Sequence, residues 1–338
     1  MKEERNKLVD MLKGYACFLV VLVHVIMGIR KADVHVPFYN VGLEFFLNSF
    51  QVELFMFLSG YVYNVTGGWK KKGTRLKFLW NKLLNLGVPY LTFSILYIMI
   101  NTVLGRGNVN TEYSVGNILM LWKAPIAQYW FLYNLLFLFI EFVVLDKWLK
   151  KWQITLIICA IQIVCAYYDI SILQPFNYFV NMALYFGVGV CVSELRIGEM
   201  DKQKQVIIVL AHIGMICAVL QLGVELSVIG ISLLAFVGIA ASICFISIVA
   251  KNSTIEFLLL EICKYSFPIY LIHTIFTAGI RIIMIKMGID NYFVHVIVGL
   301  LFGIMIPIFV ARVSEKNSVA MFCFYPSKAL ARMRKKGN

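Results

Sequence analysis

Asp10, Lys13 and His24 are the acid, the base and the imidazole of the segment DMLKGYACFLVVLVH (10–24), which is otherwise dominated by apolar side chains. Lys13 and His24 are eleven residues apart. At 100° per residue, eleven steps return to within about 20° of the start, with the two positions roughly 16 Å apart along the axis. Asp10 precedes Lys13 by three residues and shares its side of the helix. One face therefore carries an acid and a base near one membrane boundary and an imidazole well beyond it. Ionisable groups at such depth are costly and face a cavity or a partner. A neutral imidazole can take a proton from a hydroxyl, the task of a general base. A histidine packed and hydrogen-bonded to a neighbouring helix fits the same spacing.

The elements that must hold this face are membrane helices. Of 338 residues, 61% are hydrophobic and 14% charged, well away from the roughly half apolar and quarter charged composition of soluble domains. Apolar runs of membrane length recur along the chain and are continuous, not alternating, which weighs against a β-barrel. The sequence predicts an all-α, polytopic transmembrane bundle of about ten spans, near 12–29, 49–66, 83–104, 128–145, 154–169, 178–193, 206–223, 228–249, 266–285 and 294–312. Residues 1–313 form the transmembrane domain and 314–338 a basic cytoplasmic tail. The net charge of +13 lies mainly between spans, so membrane orientation accounts for it better than nucleic acid does. With both termini cytoplasmic, the outer segments keep only Arg30, Lys31, Arg106, Lys123 and Lys286, the asymmetry expected of inner and outer loops. No internal repeat is visible, which weighs against a repeat-built transporter. The eight cysteines lie mostly inside apolar spans without C-x-x-C spacing and read as small buried residues. MGIRKADVH, after the first apolar run, has no A-x-A-like cleavage site.

No P-loop, GxGxxG or metal-ligand cluster is present, so neither a nucleotide hydrolase nor a metalloenzyme is indicated. Ser59 lacks a G-x-S-x-G context, and Ser59–Gly60 reads as a small pair that lets helices approach closely. Glu53 stands near the outer end of the second span. An antiparallel pair of helices can bring its carboxylate to the depth of His24, where a hydrogen bond would fix the imidazole tautomer.

Five segments in order resemble the acyltransferase-3 family of integral-membrane acyltransferases, and within it the sugar O-acetylase-like branch. They are Asp10-Met11-Leu12-Lys13-Gly14 with His24, LFMFLSGYVYN (54–64), RLKFLWNKLLNLGVPYLTF (75–93), QYWFLYNLLF (128–137) and KYSFPIYLIH (264–273). Two departures stand out: lysine at 13 where many members have arginine, and Gln51-Val52-Glu53 where many of the branch have His-x-Pro. The resemblance implies transfer of an acyl group, usually acetyl, from cytoplasmic acyl-CoA to a hydroxyl of a cell-envelope or exopolysaccharide sugar, in a bacterial inner or plasma membrane and without a metal. His24 matches the family's catalytic histidine, with Glu53 the second catalytic candidate. CoA presents phosphates, for which lysine and arginine are the expected partners. Lys13, Arg75, Lys72 and Lys82 are the candidates for holding them. Asp10, Trp130 and His273 are the candidate substrate-binding residues, Trp130 by stacking on a sugar and His273 through its place in the last segment. The expected partners are acyl-CoA, a sugar or glycan acceptor and the lipid bilayer, with no nucleic acid. The reading from another class is a transporter or flippase for a sugar-lipid or small solute, in which the intramembrane ionisable residues form a coupling path.

Overall fold

A computed structural model describes residues 7–32, 34–67, 69, 74–104, 111–168, 176–192 and 199–336. These residues are all-α. Eight helical stretches are long and apolar enough to cross a membrane: Lys7–Arg30, Asn40–Thr66, Arg75–Val103, Ala127–Leu145, Lys202–Leu222, Val228–Val249, Ser266–Lys286 and Tyr292–Ser314. Two shorter apolar helices, Lys151–Cys165 and Val180–Cys191, fall where the fifth and sixth spans are expected. The helices form a polytopic membrane bundle.

Helix α1 (Lys7–Arg30) is the most buried of the long stretches. The second stretch is broken at Ser49–Phe50 into α2 (Asn40–Asn48) and α3 (Gln51–Thr66). On α2, Glu44 accepts from Arg30 and Asn40, each at 2.8 Å, which ties the far end of α1 to α2.

The third stretch begins as α4 (Arg75–Lys82), so part of the basic segment expected as a loop is helical. A π turn over Leu83–Gly87 then leads into α5 (Val88–Leu104). Pro89 explains the widened turn. Proline lacks an N–H and its ring clashes with the carbonyl four residues back, and a wider turn relieves both.

Next come α6 (Trp130–Leu145), α7 (Lys151–Tyr167), α8 (Phe176–Cys191), α9 (Lys202–Leu222) and α10 (Val228–Val249). Helices α3 and α8 meet backbone to backbone. A Cβ at Gly60 would run into the Phe186 carbonyl, and one at Gly189 into that of Phe57, so the expectation that Gly60 serves close approach is met. Beside this contact, Tyr63 stacks on Trp69 at 3.6 Å, within a cluster that includes Phe139, Phe142 and Phe186.

Helix α11 (Ser253–Lys264) occupies a segment expected as a loop; Asn252 caps it by accepting from Thr254 and Ile255. Pro268 ends it, because that ring cannot follow the carbonyl of residue 264 in a continuous helix, and it sits in the first turn of α12 (Ser266–Lys286), where no N–H is needed. The break sets where His273 lies along α12. Helix α13 (Tyr292–Ser314) packs along α12 and α1. The basic tail is also helical, as α14 (Ser318–Phe324) and α15 (Pro326–Lys336). Phe324 lies 4.8 Å from Phe93, and the Ser327 amide donates to Asn85 at 3.2 Å, so this segment docks beside the π turn.

Candidate active site

His24 lies on the fifth turn of α1 and folds back on its own helix: Nδ1 donates to the Val20 carbonyl at 2.7 Å. A carbonyl only accepts, so the proton is on Nδ1 and the lone pair on Nε2. The half-buried ring borders a cavity of about 270 Å³. Lys13 borders the same cavity, as the eleven-residue spacing requires. Ser59, Gln128, Ser266 and Tyr270 are further polar residues lining it; Phe55, Phe131 and Phe267 are among the apolar walls. Lys13 and His24 thus line one largely apolar cavity.

A second imidazole backs the first. His273 on α12 is fully buried, with its ring centroid 4.9 Å from that of His24 and the planes at 78°. Its Nδ1 lies 2.9 Å from the Ile269 carbonyl and 3.0 Å from that of Tyr270, so this ring also carries its proton on Nδ1. Its Nε2 is buried without a hydrogen-bond partner. Both rings thus present acceptor nitrogens, and neither can donate to the other until one more proton arrives.

Helix α12 is stitched to the turn before α6. Tyr129 donates to the Leu271 carbonyl and Gln128 to Thr274, each at 2.8 Å, and Tyr270 donates to the Gln128 carbonyl. Ala127, which opens this turn, has φ of 42°, in the left-handed region. That region is unfavourable for a residue with a Cβ, and here it delivers Gln128 to the cavity.

Of the predicted site residues, His24, Lys13, Trp130 and His273 are gathered around one site; the first three line the cavity and His273 stands behind His24. Lys82 lies close enough to Lys13 for their charges to repel, and its ammonium sits 3.7 Å over the Phe139 ring. Arg75 is directed elsewhere: it donates to the Val143 carbonyl at 2.8 Å and pairs with Asp146 at 3.7 Å, which also accepts from Trp69 at 3.0 Å. These bonds fasten α4 to the C-terminal end of α6. Asp10 is buried one turn before Lys13 and does not line the cavity. Glu53 is buried and also does not line it; the carboxylate lies near Tyr185 of α8, and its Oε2 has no hydrogen-bond partner. Lys72 lies outside the described residues. Gln128 and Tyr270 were missed as site residues. The signal for Tyr270 was present, since it precedes His273 by three residues and shares its side of the helix.

A family of acyltransferase domains matches residues 6–312. The chain belongs to the acyltransferase-3 family. The match covers nearly the whole chain, including every described helix from α1 to α12, so acyl transfer in general is this membrane bundle's chemistry. Within the acyltransferase-3 domain, the imidazole pair and the cavity reaching Lys13 are the features suited to that chemistry. No curated protein and no solved structure matches the chain.

Proposed function

We propose that the protein transfers an acyl group, acetyl in the first instance, from cytoplasmic acyl-CoA to a hydroxyl of a cell-envelope or exopolysaccharide sugar, with His24 as general base. The observation that carries this reading is the His24 ring, pinned through Nδ1 and bordering a cavity that also reaches Lys13. The roughly 16 Å between the two residues suits an extended phosphopantetheine arm. CoA phosphates then sit at Lys13 and Lys82, and the thioester sits beside His24. The largely apolar walls between them suit the arm and keep water from the thioester.

The acceptor hydroxyl gives its proton to His24 Nε2 as its oxygen adds to the thioester carbonyl. The tetrahedral intermediate collapses, the C–S bond breaks, and the CoA thiolate leaves and takes up the proton. His273 is a positioning residue in this scheme: its ring supports that of His24 and offers a lone pair beside the imidazolium that forms. Tyr270, Ser59 and Gln128 are the neutral hydrogen-bonding groups available on the cavity wall. Arg75 joins phosphate binding only by leaving Asp146, and Lys72 adds charge to the same basic segment. Glu53 is left out of the proton path because it faces α8. Both termini lie in the cytoplasm of a bacterial cell, with the bundle in its inner or plasma membrane.

The test is acceptor-dependent release of free thiol from acetyl-CoA by purified protein. Wild type is expected to release thiol when given an envelope-glycan extract, and His24→Ala to release none while still binding acetyl-CoA. Equal turnover by the two proteins would remove His24 from the chemistry.

A further inference from the structure

Arg281, on α12 eight residues beyond His273, takes no part in the chemistry above. It is 7% exposed, and its Nε is buried without a hydrogen-bond partner. Among the described residues no carboxylate pairs with it. Glu44 is held by Arg30 and Asn40, and Asp290 accepts from the His35 amide. Among the described residues, the Tyr97 phenol lies within electrostatic reach. A guanidinium inside a membrane bundle needs a counter-charge or a wet cavity, because its desolvation is otherwise uncompensated.

The surrounding helices are shaped to admit the charge. A Cβ on Gly28 of α1 would run into the Arg281 guanidinium, so the glycine is a notch in α1 that receives it. Gly28 lies one turn beyond His24, on the side away from Lys13. Along the α1–α12 seam, Arg281 therefore stands roughly 6 to 12 Å beyond the imidazole pair, counted as four residues on α1 or eight on α12. Lys13 lies on the other side of His24 along α1, and Arg281 itself stands in the seam beyond the cavity lining.

We propose that Arg281 is an anion subsite for the acceptor: the glycan that receives the acyl group carries a phosphate or carboxylate, which the guanidinium pairs with while the hydroxyl reaches His24. The proposal rests on the acyl-transfer reading. Arginine's planar fork suits either anion and is always charged.

The test separates an envelope-glycan extract on anion-exchange resin and supplies the retained and unretained fractions with acetyl-CoA to wild type, Arg281→Gln and Arg281→Lys. The retained fraction is expected to support thiol release. Arg281→Gln should raise the KM for it by about tenfold or more, the size of one lost charge-assisted hydrogen bond. Arg281→Lys should recover part of that loss, and acetyl-CoA binding should stay unchanged in both variants as proof of folding. Turnover on the unretained, neutral fraction with the same KM in wild type and Arg281→Gln overturns the subsite and leaves acyl transfer standing. A second arm places the protein in phosphatidylcholine vesicles with and without phosphatidylglycerol. If Arg281→Gln lowers the melting temperature only where phosphatidylglycerol is present and leaves the acceptor KM alone, the anion is a lipid headgroup and the subsite is overturned. Wild type that neither binds acetyl-CoA nor releases thiol from either fraction brings down the acyl-transfer reading and the subsite with it.

Discussion

His24 and His273 are each tied through Nδ1 to the carbonyls of their own helices, which fixes both tautomers by backbone geometry instead of by a carboxylate. A proton taken up by His24 is then held beside a neutral ring with a free acceptor nitrogen. Loss of a positioned base typically costs 10²- to 10⁴-fold, and His24→Ala is expected at or beyond the upper end. His273→Phe keeps an aromatic ring against His24 but removes the nitrogen. It is expected to lower kcat by about tenfold or more, to shift the pH–rate profile and to leave the KM for acetyl-CoA unchanged; a purely packing role would leave the pH profile where it was. Lys13→Gln should do the reverse, raising the acetyl-CoA KM by about tenfold with little change in kcat. Glu53→Gln should retain activity within a few-fold. At this scale the sequence was partly legible. The Lys13–His24 face follows from helical periodicity within one segment. The pairing of His24 with His273 does not, because nothing in either local sequence encodes a contact made by two helices far apart in the chain. The direction of Glu53 was hidden for the same reason: its depth could be counted along α3, whereas its azimuth depended on which neighbour α3 packed against.

At the scale of elements, apolar runs located the long helices, because a membrane-length run is a property of local composition. The shorter elements α2, α11, α14 and α15 were not expected. In α11 and α15 charges mix with apolar residues, as in Glu256, Glu261 and Lys264 of α11, and such a mixture reads equally as loop or amphipathic helix; α2 and α14 are too short to stand out as apolar runs of membrane length. The breaks were not read from the sequence: proline accompanies those at Pro89 and Pro268, none marks Ser49–Phe50, and Pro307 lies inside α13. Backbone contact between α3 and α8 yields a direct prediction. Gly60→Leu cannot be accommodated without separating the two helices, so it should cost about 1–3 kcal/mol or more. The loss is measurable as a lower melting temperature in detergent. Wild-type stability in that variant would mean that α3 and α8 do not meet at Gly60.

The whole molecule is organised around α1. Its neighbours include α3, α11, α12 and α13, and its polar face is shared between the cavity and the seam with α12. Basic residues dominate one set of segments, and α1 and α12 run in the same direction, since His24 meets His273 and Gly28 meets Arg281 further along both helices. That arrangement agrees with both helices crossing from the same side. Epitope tags at the two termini should be open to protease only after the cells are permeabilised; cleavage of either tag in intact cells would contradict the proposed orientation. The measurement that tests the central claim most directly is thiol release from acetyl-CoA by purified wild type and His24→Ala, with and without envelope glycan, with acetyl-CoA binding measured in parallel. The account predicts acceptor-dependent release by wild type, none by the variant, and binding by both. Folded wild-type protein that neither binds acetyl-CoA nor releases thiol would contradict it.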